Sequence, residues 1–512
     1  MSSFPDEMFS GFSSDRAEAL SRLALDTARS LGADYADLRL AQRETEEVEV
    51  KNGAVQTVES SLTRGFGVRV LVDGAWGFSS SSRVSPGEVE RVTREAVSIA
   101  AASARVRPDR PVRLAPAEAV RDSWASPVKE DPFGVDLDEK IELLLEADAE
   151  LRSVEGVRVS EAHLGSFRES TLFSSTEGSH IHQQKTEVGG NVSAVAAESG
   201  EMQKRSLPAS FRGDWAQAGF EHIRQLNLPG HARRCAQEAV DLLGAPQCPA
   251  GEMDLILDPA QMILQIHESV GHPIEMDRVL GMEASLAGTS FLTPDHLDGF
   301  RYGSEEMNIT ADATIPGGLG SFAYDDEGVP GQRVPIIQEG IFVNYLTSRE
   351  TGPALEDMVD AGSLPGTEPS FRGNGTMRAD GPSRLPLVRM TNINLEPGDW
   401  TLEEMIQDTE DGLFMATNKS WSIDDKRTNF QFGCEVAWEI KDGSLGRMYK
   451  NPTYTGITPQ FWGALDAIGS EKEWKVWGIP TCGKGEPVQA AHVGHGTAAA
   501  RFRGVKVGVG RW

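Results

Sequence analysis

Leu255-Ile256-Leu257-Asp258-Pro259-Ala260-Gln261-Met262-Ile263-Leu264-Gln265-Ile266-His267-Glu268-Ser269-Val270-Gly271-His272-Pro273 is the stretch on which the reading of this chain turns. Its first three residues read as a short buried strand. Asp258 offers an N-cap and Pro259 suits the first helical position, where no N–H is missed. Met262, Ile263, Ile266 and Val270 recur at helical spacing. Two imidazoles can hold a zinc ion, and a neighbouring carboxylate can take a proton from water on the metal. The spacing is awkward, however. Five residues on a regular α-helix leave two side chains about 140° apart. The sequence therefore predicts a helix from Pro259 to about Val270 that Gly271 stops in a left-handed conformation. Pro273 biases His272 away from the α region, so the second ring lies beyond the helix and swings back toward the first.

Around this stretch the composition is that of a soluble globular protein. The 512 residues are 39% hydrophobic and 25% charged, enough for two or more domains with full cores. A formal charge of −28 argues against a nucleic-acid partner, because neutralising phosphates needs clustered Lys and Arg. Met1–Glu7 has neither a basic start nor an apolar core, so no signal peptide is expected. No apolar run approaches the roughly 20 residues that span a bilayer. Four Cys in such a length make no disulfide framework, and a cytoplasmic location is the expectation.

Upstream, helices and hairpins alternate. Residues 15–31 read as an amphipathic helix capped by Asp15 and stopped by Gly32. Asn52-Gly53 and Asp73-Gly74, each between alternating apolar residues, predict two tight hairpins. Residues 86–103 and 136–152 return to helical period, with a Pro- and Arg-rich link at 106–116. Residues 155–197 alternate like strands and 233–243 read as a short helix. Gly244–Gly251 reads as a linker. Downstream, short runs such as Ile336-Ile337, Ile341–Val343 and Cys434–Trp438 predict strands. The fold class is α+β: an N-terminal domain of helices and antiparallel hairpins over 1–243, and a mostly β domain over 252–512 carrying the metal-site helix.

A catalytic zinc needs a third protein ligand. Cys482, in Thr481-Cys482-Gly483-Lys484-Gly485-Glu486-Pro487, is the best candidate: a glycine-rich loop lets backbone approach, and Lys484 would favour the thiolate. Cys434 reads as core, Cys235 as helical and Cys248 as linker. His180 and His182 would share a strand face, and His492 and His495 a helix face or a loop. The same glycine-rich loop imitates a phosphate loop, but Gly485 stands where Ser or Thr should be and Pro480 interrupts it, so nucleotide binding is rejected. Asp325-Asp326-Glu327-Gly328 reads as a tight, solvated turn rather than a cation site. Glu275 and Asp277 are candidates for orienting His272 or lining the site.

Several motifs in order resemble the TldD/PmbA metalloprotease family, and its catalytic TldD branch in particular. They are His267–His272 with Glu275 and Asp277, Gly320-Ser321 with Asp325–Gly328, Gly373-Asn374-Gly375, Arg389–Asn392 and Cys482-Gly483-Lys484. Arg64–Val70 and Trp76-Gly77-Phe78 extend the resemblance upstream. It implies a zinc-dependent peptidase, iron not being excluded. His267, His272 and Cys482 would bind the metal, and Glu268 would be the general base. It also implies extended or unfolded peptide substrates reaching an enclosed site. The implied partner is a related non-catalytic TldE/PmbA-type subunit in a heterodimer, with a homodimer as the other possibility. Pro273 departs from some relatives, which carry Gly there. Two other readings stay open: a scaffold subunit with a closed structural metal site drawing on His492, His495, Glu275 or Asp277, and a cysteine hydrolase using Cys482 with His492 or His495.

Overall fold

A computed structural model describes residues 13–106, 111–210, 212–286, 288–359 and 368–508; the Met1–Glu7 stretch and part of the 106–116 link lie outside these. The two predicted hairpins form as expected. Tyr35–Lys51 pairs antiparallel with Ala54–Val72, which pairs in turn with Ala75–Ser81. Asn52 and Gly53, then Asp73 and Gly74, all take positive φ, which makes the two-residue turns follow the twist of the strands. The first helix spans Ser14–Ser30, and its cap is Ser13, whose hydroxyl accepts from Arg16 N–H; Asp15 instead sits in the first turn. Helices Pro86–Arg105 and Leu137–Arg152 match their apolar periods. The helix expected at 233–243 starts earlier, at Leu228, because Pro229 fits its first turn.

Two helix pairs cover the hairpin strands. Leu20, Ala24, Val92 and Ala96 pack with Phe66, Val68 and Val70, while Leu144, Leu151, Ala232 and Ala236 pack with Val48, Leu164 and Val192. A larger cluster centred on Leu255, Ile266, Tyr302, Met390, Trp462 and Val493 fills the strand-rich second half.

Two sheets organise these parts. A seven-stranded sheet places Gly251–Leu257 between Asp411–Ile423, to which it is parallel, and Ala500–Val507. A fourteen-stranded sheet runs through both halves of the chain: Lys475–Lys484 pairs with Gln489–Thr497 on one side and, through Gly478, with Trp215 on the other. Gly478 is needed there, since a Cβ would stand 2.2 Å from the Trp215 carbonyl oxygen. Buried charge pairs add to this join. Glu435 accepts from Arg205 Nη1 at 3.0 Å and from the Ser206 backbone and hydroxyl. The Asp325–Gly328 turn is buried rather than solvated, because Glu327 meets Arg69 and Asp326 meets Arg39 across the same boundary.

Candidate metal centre

The helix that begins at Pro259 is capped as its sequence requires. Asp258 Oδ1 accepts from Gln261 N–H at 2.8 Å and from Thr417 N–H at 3.1 Å. Thr417 holds φ 60°, costly for a β-branched residue, and so aims its N–H at this cap.

The other end departs from expectation. Regular α-helix runs only to Ile266, and the chain then widens over His267–Gly271, closing with a bond from His272 N–H to His267 C=O at 3.2 Å. This i→i+5 closure stacks residues five apart, as i→i+4 closure stacks residues four apart. The awkward spacing is thus resolved by a wider turn and not by a helix stop. His272 stays in the right-handed region at φ −70° and ψ −41°, against the bias of Pro273. Gly271 is required for space and not for a left-handed φ: a Cβ there would lie 2.3 Å from Met390 Sδ. The loosened turn is pinned by partners. Trp462 Nε1 donates to Ser269 Oγ at 2.9 Å, and the Tyr302 hydroxyl donates to the Ser269 carbonyl, which lies four residues before Pro273 and so gets no N–H from it.

The two rings now face each other at 4.8 Å between centroids. Ligand atoms of His267, His272 and Cys482 all lie within 4.8 Å of one another, and the side chains are buried. Cys482 belongs to the strand Lys475–Lys484 and not to a loop, and the glycine turn follows it at Gly485, φ 85°.

Each imidazole is fixed by its second nitrogen. His272 Nδ1 meets Glu275 Oε2 at 3.0 Å, and His267 Nδ1 meets His495 Nε2 at 2.9 Å. His495 Nδ1 in turn lies 3.1 Å from the Ile393 carbonyl, which can only accept. That assigns a proton to His495 Nδ1, makes its Nε2 the acceptor, and makes His267 Nδ1 the donor. Nδ1 of both rings is thus taken, and Nε2 is the nitrogen left to each. His492 and His495 lie on the strand Gln489–Thr497, three positions apart and so on opposite faces; the helix or loop expected for them is absent. His492 pairs with Glu187, away from His495.

Charge around the three side chains suits a cation. Burial raises the Cys482 thiol, but the charges of His267 and Arg389 and hydrogen bonds from both His rings hold it well below its ordinary range. Lys484, expected to favour this thiolate, instead donates to Asp277 at 2.7 Å and to the Val388 carbonyl. Burial and the neighbouring His267 push His495 well down, keeping it neutral. Burial opposes ionisation of Glu275, yet Lys484, His272 and Arg278 hold it well below the usual carboxylate range. Of the two carboxylates expected near His272, Glu275 touches it, whereas Asp277 accepts from Lys484 and the Arg278 backbone. Glu268, beside His267, is 7% exposed and accepts from Arg427 Nη1 at 2.9 Å. A thiol and two imidazole nitrogens, with their other nitrogens occupied, form a donor set whose chemistry fits zinc.

Family models described as the PmbA/TldA metallopeptidase C-terminal domain, domain 1 and central domain match residues 250–509, 36–100 and 130–243. The chain belongs to the PmbA/TldD metallopeptidase family. A relative named Metalloprotease MJ0996 from Methanocaldococcus jannaschii is 33% identical, covering 91% of this chain and 96% of its own length. A zinc metalloprotease TldD homolog from Saccharolobus solfataricus is 22% identical over 87% of this chain and 90% of its own. TldE from Thermococcus kodakarensis shares the fold with a TM-score of 0.73 at 16% identity, covering 96% of this chain and 100% of that one. Within this PmbA/TldD chain, the residues that sequence reasoning missed are Arg427 and the supporting role of His495. Neither carries a local signal, since they reach the His267–Glu268 pair from 159 and 228 residues away.

Proposed function

We propose that this chain is a zinc-dependent peptidase, the catalytic TldD-type member of its family, in which His267, His272 and Cys482 hold the metal and Glu268 moves the proton. The observation that carries the reading is the convergence of three buried donors whose remaining nitrogens are already engaged. Zinc, when bound, supplies Lewis acidity toward water and toward a scissile carbonyl. Glu268 follows His267 directly in the widened turn, so its carboxylate sits beside the donors without being one of them. It accepts a proton from the attacking water and delivers one to the leaving amine. His495 and Glu275 hold the two rings in the tautomer that leaves Nε2 free. Tyr302 and Trp462 hold the turn that sets the spacing of the rings.

The substrate class we infer is extended or unfolded peptide, since main-chain pairing with strand edges suits an enclosed, β-rich surround. The partner we infer is a related TldE/PmbA-type subunit or a second copy, and the location the cytoplasm. No described helix is long and apolar enough to cross a membrane. A closed structural site is disfavoured because His495 and Glu275 spend their nearest atoms on the ring nitrogens. A cysteine hydrolase using Cys482 with His492 or His495 is disfavoured because the rings that hydrogen-bond the Cys482 thiol are those of His267 and His272, while His495 Nε2 is spent on His267 and His492 on Glu187.

The test is metal analysis with a peptide-cleavage assay on an unfolded substrate, run alone and with a co-expressed related subunit. Glu268→Ala should retain the metal and lose cleavage. Full cleavage by metal-loaded Glu268→Ala protein contradicts the assignment.

A further inference from the structure

Arg427 lies in the turn Asp424–Thr428, between strands Asp411–Ile423 and Asn429–Lys441. Its backbone takes φ 67°, a left-handed conformation. Asn52, Asp73 and Asp442 hold similar angles in hairpin turns, where short polar side chains tolerate them. Arg427 closes the turn by donating its N–H to the Asp424 carbonyl at 2.9 Å, and Arg212 and Glu339 hold similar angles, yet a Gly at this place would remove the strain. Strained backbone at a non-glycine residue is a sign that the side chain's position matters.

The turn is built to hold that position. Asp424 accepts from the backbone N–H groups of Lys426, Thr428 and Asn429 at 3.1, 2.8 and 2.9 Å. Thr458 donates its hydroxyl to the Arg427 carbonyl at 2.8 Å, and Phe291 N–H donates to the Lys426 carbonyl at 2.9 Å. Arg427 is thereby fixed from both sides, and its guanidinium reaches one target, Glu268 Oε2. The bond from Arg427 falls on Glu268 Oε2 and not on Oε1, and Arg427 Nε is buried with no partner. One carboxylate oxygen is held and the other is left for proton transfer.

We propose that Arg427 is a positioning residue for Glu268: it fixes one carboxylate oxygen so that the other faces the reacting water, and its strained backbone is the cost of delivering it. This rests on the reading of Glu268 as proton carrier given above. Arg427 needs no contact with the metal in this role.

The experiment uses the full-length protein, in the assembly that cleaves, with an unfolded peptide substrate. Arg427→Gly, which relieves the backbone, should load the same metal as wild type and stay folded at the assay temperature, as circular dichroism would confirm, although Glu268 loses its ion-pair partner. Its kcat should fall by about 100-fold, the low end for a misplaced general base, with KM little changed. Arg427→Lys, which keeps a cation, should recover part of the loss. Guanidinium ion at non-denaturing concentration should recover part of it in Arg427→Gly, and sodium chloride of equal ionic strength should not. In a Glu268→Gln background, Arg427→Gly should cause no further loss, because the residue acts through Glu268. Wild-type kcat in Arg427→Gly overturns the proposal while leaving Glu268 its role, as does a loss that adds fully to that of Glu268→Gln. Full activity in Glu268→Gln overturns both readings together.

Discussion

His495→Leu isolates the hydrogen bond behind His267, the first of the proposed metal ligands. Leucine nearly matches the imidazole in size but offers no acceptor, so the buried His267 Nδ1–H loses the partner it has at 2.9 Å. Leaving a buried donor unpaired costs about 1–3 kcal/mol. The same change frees the His267 ring to rotate or to carry its proton on Nε2, where it cannot bind a metal. Loss of such a supporting contact typically weakens metal binding about 10–100-fold, equal to about 1.4–2.7 kcal/mol, so the two estimates agree. His495→Gln, which restores an acceptor, should fall between wild type and His495→Leu. The assay is competition for zinc against a chromophoric chelator, with circular dichroism confirming the fold. Zinc affinity of folded His495→Leu protein within twofold of wild type would refute the tautomer argument.

Other outcomes follow from the same geometry. Gly271→Ala should destabilise by about 1–3 kcal/mol and weaken metal binding, because its Cβ meets Met390 Sδ at 2.3 Å; adding Met390→Ala should restore much of the metal affinity, and no restoration would place the defect elsewhere. Glu435→Ala should cost about 3 kcal/mol in urea unfolding, since Ser206 and one arm of Arg205 lose their acceptor between the two halves; an unchanged midpoint would show that this junction adds little. His180 and His182 face each other at 3.1 Å, and burial and then His180 push His182 down to about 4. The unfolded chain therefore binds a proton that the fold excludes, and stability should drop as pH falls from about 6.5 to about 4, by no more than about 2 kcal/mol given the partial exposure of the ring. His182→Gln should flatten that dependence, and identical urea midpoints for both proteins across this range would refute it.

Much of the fold was legible because it is written locally. Asn52-Gly53 and Asp73-Gly74 demand their turns, and Asp258-Pro259 demands a helix start. The mixed α+β class and the strand-rich second half followed from the same signals. What was not legible depends on tertiary partners. The widened turn at His267–Gly271 exists because Tyr302, Trp462 and Met390 hold it, and none of these is near in sequence. The single sheet through both halves rests on Trp215 meeting Gly478, which no periodicity announces. Cys482 was legible as a candidate by residue type and loop composition, although the loop proved to be a strand. His495 looked like a rival ligand because spacing alone cannot tell a ligand from the residue that orients one. Arg427 had no signal except its place in a turn.

The most direct test of the account is X-ray absorption at the zinc edge of the loaded protein, beside its Cys482→Ser variant. The account predicts one sulfur scatterer at about 2.3 Å and two imidazole nitrogens at about 2.0–2.1 Å, with at least one lighter, exchangeable ligand completing the shell. The sulfur shell should vanish in Cys482→Ser. A wild-type shell without sulfur, or one closed by a third imidazole, would contradict it.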